Sequence, residues 1–283
     1  MTEPTVRTSR LAIAGALLAA LAVGGAGFFA GRTTAPHPTS PPPVVIEAPP
    51  PPPPAPKETL ERADIIRLAQ QAADASASGT AMPDSVTKAG GRHFDLVIPF
   101  GCAGPSDAAA GRPMTWRYDA DEQTLRVSIA PVNWQGGDWG LDGQADMKAA
   151  RGFWIARPWS SSGACPPRPG TSVPVGVEAI TLPGQTLAIA QFFSPDAERA
   201  GWRGGRPFEI VQRIEADRFQ AKQGLRLRVK GRIDNGRRGG PVRCVQPGGS
   251  EQRPICALMV QMEDIQVELP ATGEVLGTWS VDR

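Results

Sequence analysis

Leu225-Arg226-Leu227-Arg228-Val229-Lys230-Gly231-Arg232-Ile233 is the stretch that decides the fold. Apolar and cationic residues alternate along it, the period-two pattern of a strand with one buried and one wet face. Leu225, Leu227, Val229 and Ile233 would face inward, while Arg226, Arg228, Lys230 and Arg232 form a cationic row outside. The same period runs through His93 to Phe100, where Phe94, Leu96, Ile98 and Phe100 alternate with His93, Asp95 and Val97. Thr115–Tyr118 and Thr124–Ala130 flank Asp119-Ala120-Asp121-Glu122-Gln123 and predict a hairpin, with Leu125, Val127 and Ile129 on its inner side.

Further strands are expected at Gly152–Ala156, Val173–Ile180, Thr186–Phe193, Pro207–Ile214 and Ile255–Leu269. The last must bulge near Glu263-Asp264, because Leu258, Val260 and Met262 hand the apolar phase over to Ile265, Val267 and Leu269. Many short strands separated by Gly- and Pro-rich turns predict an all-β fold, a single β-sandwich or open barrel spanning residues 90–283. Ahead of it, Glu58–Asp74 reads as a short amphipathic helix. Thr59 would cap it, Glu61 and Asp64 lie in or near its first turn, and Ile65, Leu68, Ala69 and Ala72 share one face.

The N-terminal part gives an address. Leu11 to Ala30 is uncharged and almost wholly apolar over 20 residues, roughly 30 Å as a helix and enough to cross a bilayer core. Arg7 and Arg10 precede it, which orients residues 1–10 to the cytoplasm. A cleaved signal peptide is the competing reading, but its apolar region would be shorter, and Phe28 sits badly for cleavage after Ala30. Gly27 and Gly31 form a GxxxG pair that would suit a helix homodimer. Thr33 to Lys57 is a linker whose prolines, Pro49 to Pro54 among them, impose extended polyproline II. At that rise it reaches up to roughly 75 Å from the membrane.

Four cysteines, Cys102, Cys165, Cys244 and Cys256, are an even count in an exported chain and predict two disulfides. Three pairings are open. The short intervening loop favours Cys244 with Cys256, closure of which is worth about 3 kcal/mol in the chain-entropy model, and leaves Cys102 for Cys165. No CxxC spacing occurs, and no metal site is expected. Only five lysines accompany the many arginines, which together with the abundant alanine suggests a GC-rich bacterial genome. The expected location is therefore the bacterial inner membrane, with the C-terminal domain in the periplasm.

Chemistry is scarce. There is no P-loop, HExxH, GxSxG or dinucleotide fingerprint, so no catalytic residues and no cofactor are expected. His93 is the only imidazole outside the linker and falls on the solvent side of its strand. Between Arg199 and Arg243, thirteen basic residues face four acidic ones, an excess of nine in a chain of net charge +2. The row Arg226, Arg228, Lys230, Arg232 would suit an anionic partner, either a periplasmic protein or an envelope polymer. Nucleic acid matches the charge but not the compartment. Trp134 and Trp139 lie in a loop rich in Gly, Asn, Gln and Asp, the composition needed to stack and hydrogen-bond sugars. Trp154, between Phe153 and Ile155, reads as core.

The layout of residues 1–57, a short tip, one span and a proline spacer, resembles that of bitopic envelope proteins such as the TonB-type energy transducers. The resemblance is one of layout and does not extend to residues 90–283. The function expected from all of this is non-enzymatic: a tethered periplasmic interaction domain, or alternatively a carbohydrate- or cell-wall-binding module. A hydrolase is the least supported of the three readings.

Overall fold

In a computed structural model of the chain, Leu225–Ile233 is a single strand, buried at every second residue. The structure describes residues 59–106, 111–141, 147–167, 185–194, 206–235 and 240–281. The expected span at 11–30, its Gly27 and Gly31, the linker at 33–57 and the strand at 173–180 lie outside these. Among the described residues no helix is long and apolar enough to cross a membrane. They are mostly β-strand, in one mixed and one antiparallel sheet, with few helices.

The chain runs β1 (Leu60–Glu61), α1 (Arg62–Ser78), α2 (Asp84–Thr87), β2 (His93–Phe100), β3 (Met114–Asp119), β4 (Thr124–Ile129) and β5 (Val132–Gln135). It continues with β6 (Ala149–Trp154), β7 (Leu187–Phe193), β8 (Phe208–Arg213), β9 (Leu225–Ile233), β10 (Val242–Val245), β11 (Ile255–Glu268) and β12 (Val275–Ser280). The larger sheet has the order β1-β2-β9-β11-β7-β6-β5, with β10 and β12 also paired to β11. The smaller is β3-β4-β8. Parallel pairing of β1 with β2 and of β7 with β11 makes the larger sheet mixed.

β11 organises the molecule. Its first half pairs with β7 and β10, its second half with β9 and β12. β9 and β10 follow one another along the same edge, since Asp234 N donates to Met259 O and Met259 N donates to Pro241 O. Between the halves the register to β9 shifts at Met262/Asp264, which is the bulge that the apolar phase change demands. Gly231 lies opposite this irregularity. A Cβ there would come within 2.1 Å of Gln261 O, so the one break in the alternation of β9 falls where the neighbouring backbone needs the room.

The helix begins later and runs further than its sequence pattern indicates, over Arg62–Ser78 rather than 58–74. Leu60 and Glu61 are drawn into extended pairing with Phe94 and Asp95, which delays the first turn. Glu61, not Thr59, is the N-cap, in a reciprocal capping box with Asp64, and Gly79 in the left-handed region closes the far end. α1 belongs to the domain rather than to a stalk. Ile65, Leu68, Ala69 and Ala72 share one apolar core with Leu96, Ile98, Leu227 and Val229 of the larger sheet and Leu125, Val127 and Ile129 of the smaller.

The opposite face of the β5-β6-β7 end carries a second cluster. Ala150, Ala188, Ala190 and Ala257 provide a floor of small side chains, on which Trp134 and Trp139 lie. Trp134 meets both Trp139 and Trp154 edge-on, at centroid distances of 5.5 and 5.2 Å. Small residues beneath large rings let the indoles fill the space that a third layer would otherwise occupy.

Candidate functional site

The cationic row and the tryptophan loop can both be located. Arg226, Arg228, Lys230 and Arg232 project from the outer face of β9, between acidic residues of the neighbouring strands. Arg228 donates to Glu268 at 2.5 Å and to Asp95 at 2.9 Å. The hydrogen bond to the Glu268 carboxylate, reinforced by Asp95, raises the Arg228 pKa above its ordinary value despite partial burial. Arg232 pairs with Glu263 at 2.9 Å, and Arg226 donates to Gly163 O at 3.1 Å. Lys230 stands in register with Asp95 and Asp264. The row is thus largely neutralised by its own sheet, through Asp95, Glu263 and Glu268. His93 lies opposite Arg232 on this same polar face.

Trp134 and Trp139 do not present a platform. They are 8% and 3% exposed, because the alanine floor and the turn at Gly136–Trp139 hold their rings inward. Asp138, in the same loop, caps that turn by accepting from Gln135 N. Neither indole therefore has an open face for a sugar.

A different tryptophan does. Trp159 is 53% exposed, and it is the one exposed indole among the described residues. It lines a groove of about 280 Å³ with Pro158, Gln70, Thr186, Arg253 and Pro254. Ala69, Ala73 and Leu187 complete it. Four separate pieces of chain meet here: the middle of α1, the segment after β6, the start of β7 and the loop before β11.

Each wall is held from behind. Arg62, 4% exposed, sits in the first turn of α1, two helical turns before Ala69 on the same side. Its guanidinium donates to Val97 O at 3.0 Å, to Ser160 O at 3.0 Å, to Ala156 O at 2.5 Å and to Arg157 O at 3.1 Å. Three of those carbonyls bracket Trp159. Burial, with the nearby Arg157 charge, lowers the Arg62 pKa from its ordinary value to about 10, which still leaves it protonated at neutral pH. Arg157 itself has φ +50, a left-handed conformation unusual for a side-chain-bearing residue and found where a loop is over-determined by its surroundings. Its guanidinium donates to Ala164 O, and Cys165, the next residue, is bonded to Cys102. The opposite wall, Arg253-Pro254, lies in the loop closed by Cys244–Cys256, whose cysteines face each other across β10 and β11.

The electrostatics are simple. Among the described residues the lining contains no carboxylate, imidazole or thiol, and its one charge is Arg253. Arg253 pairs with Asp74 at 3.0 Å, with both side chains more than half exposed, which makes the pair weak and replaceable. Chemically the groove offers a ring face, two proline rings, two neutral hydrogen-bonding side chains and one guanidinium.

Sequence reasoning passed over this site because Trp159 sits in a run of Pro, Ser and Gly with no periodicity, and Arg62 reads as an ordinary first-turn residue. The signal that was available is Arg157-Pro158-Trp159, a bulky aromatic between a proline and a serine-rich turn, where burial is hard to arrange. No family model, no curated protein and no solved structure matches this chain, so the geometry of the groove carries the functional argument by itself.

Proposed function

We propose that this chain is a non-enzymatic, membrane-tethered binding protein of the bacterial envelope. In this reading Leu11–Ala30 anchors it in the inner membrane, Thr33–Lys57 spaces it from the lipid, and a disulfide-braced, sandwich-type domain works in the periplasm. Gly27 and Gly31 would pair two such anchors. The contact site is the groove at Trp159. The observation that carries this is the exposure of Trp159 on a segment fixed by the buried Arg62: an apolar ring kept in water by rigid support points to a ligand. The described lining supports binding rather than turnover, because its residues supply a stacking surface and directional polar groups but no acid–base pair.

Affinity capture from native membranes with the full-length chain tests the proposal. Trp159→Ala should fold as the parent does, since the side chain is mostly solvated, yet recover at least tenfold less of the envelope component that the parent recovers. Neutralising Arg226, Arg228, Lys230 and Arg232 should affect stability more than recovery, because most of these side chains are engaged within the domain. Equal recovery by Trp159→Ala and the parent would overturn the assignment of the groove.

A further inference from the structure

We infer that the Trp159 groove takes a sugar ring bearing a carboxylate. This deepens the binding function proposed above and rests on it. A pyranose has an apolar C–H face and an equatorial belt of hydroxyls, and it needs an exposed aromatic face together with directional hydrogen-bonding groups. Trp159 supplies the first, and Gln70 and Thr186 supply the second, with Pro158 and Pro254 as rigid apolar flanks. The Pro158 and Pro254 rings are rigid, and the backbone around Trp159 is fixed by Arg62, which limits the ordering required on binding.

The carboxylate follows from the charge of the lining. Among the described lining residues Arg253 is the one ionised side chain, and the carboxylate beside it, Asp74, is held in an exposed, weak pair. A single guanidinium nitrogen, Nη2, carries its bond to Asp74 Oδ1. The planar fork has five N–H donors, so it can receive a ligand carboxylate bidentately while still beside Asp74, or exchange one carboxylate for the other. A neutral sugar would leave that complementarity unused, whereas a phosphorylated or strongly polyanionic ligand would meet only one cation. The volume of about 280 Å³ lies just below the usual range for ligand clefts, which suits a single ring rather than an extended strand.

The test uses full-length protein in detergent micelles, with tryptophan indoles labelled by ¹⁵N and the Trp159 signal assigned through Trp159→Phe. N-acetylmuramate and N-acetylglucosamine are the probes, since they share a ring and differ by a lactyl carboxylate. N-acetylmuramate should shift the Trp159 indole resonance saturably, with an affinity at least fivefold above that of N-acetylglucosamine. Arg253→Gln should erase the difference between the two sugars without abolishing stacking, and Trp159→Ala should remove both. Increasing salt should weaken the N-acetylmuramate complex only. Absence of any shift with N-acetylmuramate, equal affinity for the two probes, or a preference that survives Arg253→Gln would each overturn the inference. If membranes yield a Trp159-dependent partner while neither sugar binds, the binding function stands and the sugar class falls. If Trp159→Ala changes neither recovery nor sugar binding, both fall together.

Discussion

Arg62 places a full positive charge in the first turn of α1, where the aligned peptide dipoles already present a positive end. No acid is paired with it among the described residues. Carbonyl oxygens from β2 and from the segment after β6 take the role instead, and together they occupy four of the guanidinium's five N–H donors. Removing the side chain by Arg62→Met would strand four acceptors, and should cost about 2–4 kcal/mol of unfolding free energy in urea titrations. Arg62→Lys keeps the charge but loses the planar fork, and should cost about 1–2 kcal/mol. The pH dependence has a definite sign. A base whose folded pKa is lowered, here to about 10, binds fewer protons folded than unfolded between that value and its ordinary one. Its burial cost is therefore constant through neutral pH and is relieved only as pH climbs through that alkaline window. Nothing in the residue's sequence neighbourhood distinguishes it from any other first-turn arginine, since its partners lie 35 and more positions away. Trp139 shows the converse. A glycine-rich loop suggests exposure, but the alanines that bury its ring belong to β6, β7 and β11, and only the folded sheet brings them beneath it.

At the scale of elements, long alternating runs were legible and short ones were not. β9 and the bulge in β11 follow directly from apolar phase, because nine or more residues leave no room for another period. β5 and β10, four residues each, and the two-residue β1 carry too little pattern to register, and they form because a neighbour offers an unpaired edge. The parallel pairing of β7 with β11 is a tertiary fact invisible in either strand alone. The disulfides also act at this scale. Cys102–Cys165 spans 63 positions and Cys244–Cys256 spans 12, so in the chain-entropy model the former constrains the unfolded chain by about 4 kcal/mol and the latter by about 3 kcal/mol. The Cys102→Ala/Cys165→Ala double variant should therefore lower the urea midpoint more than Cys244→Ala/Cys256→Ala. The second pair should instead loosen the Arg253-Pro254 wall, seen as faster amide exchange at residues 246–253.

For the whole molecule, the address and the chemistry must agree. Four cysteines joined in two disulfides, with no free thiol, match an oxidising compartment, and under the proposed function the apolar run at Leu11–Ala30 would supply the route to one. Alkaline phosphatase fused after residue 283 should be active in cells, and a thiol reagent added without reductant should modify no cysteine of the purified chain. A cytoplasmically active reporter, or four labelled sulfurs, would refute the exported placement.

One consequence of the long central strand remains. Because β11 lends its two halves to different sets of neighbours, neither half-sheet has an edge along which it could detach while leaving the other whole. Loss of that one segment removes the common backbone ladder from both ends of the molecule at once. The groove and the charged face, though they share no side chain, therefore depend on one backbone ladder, and global unfolding of that strand takes both.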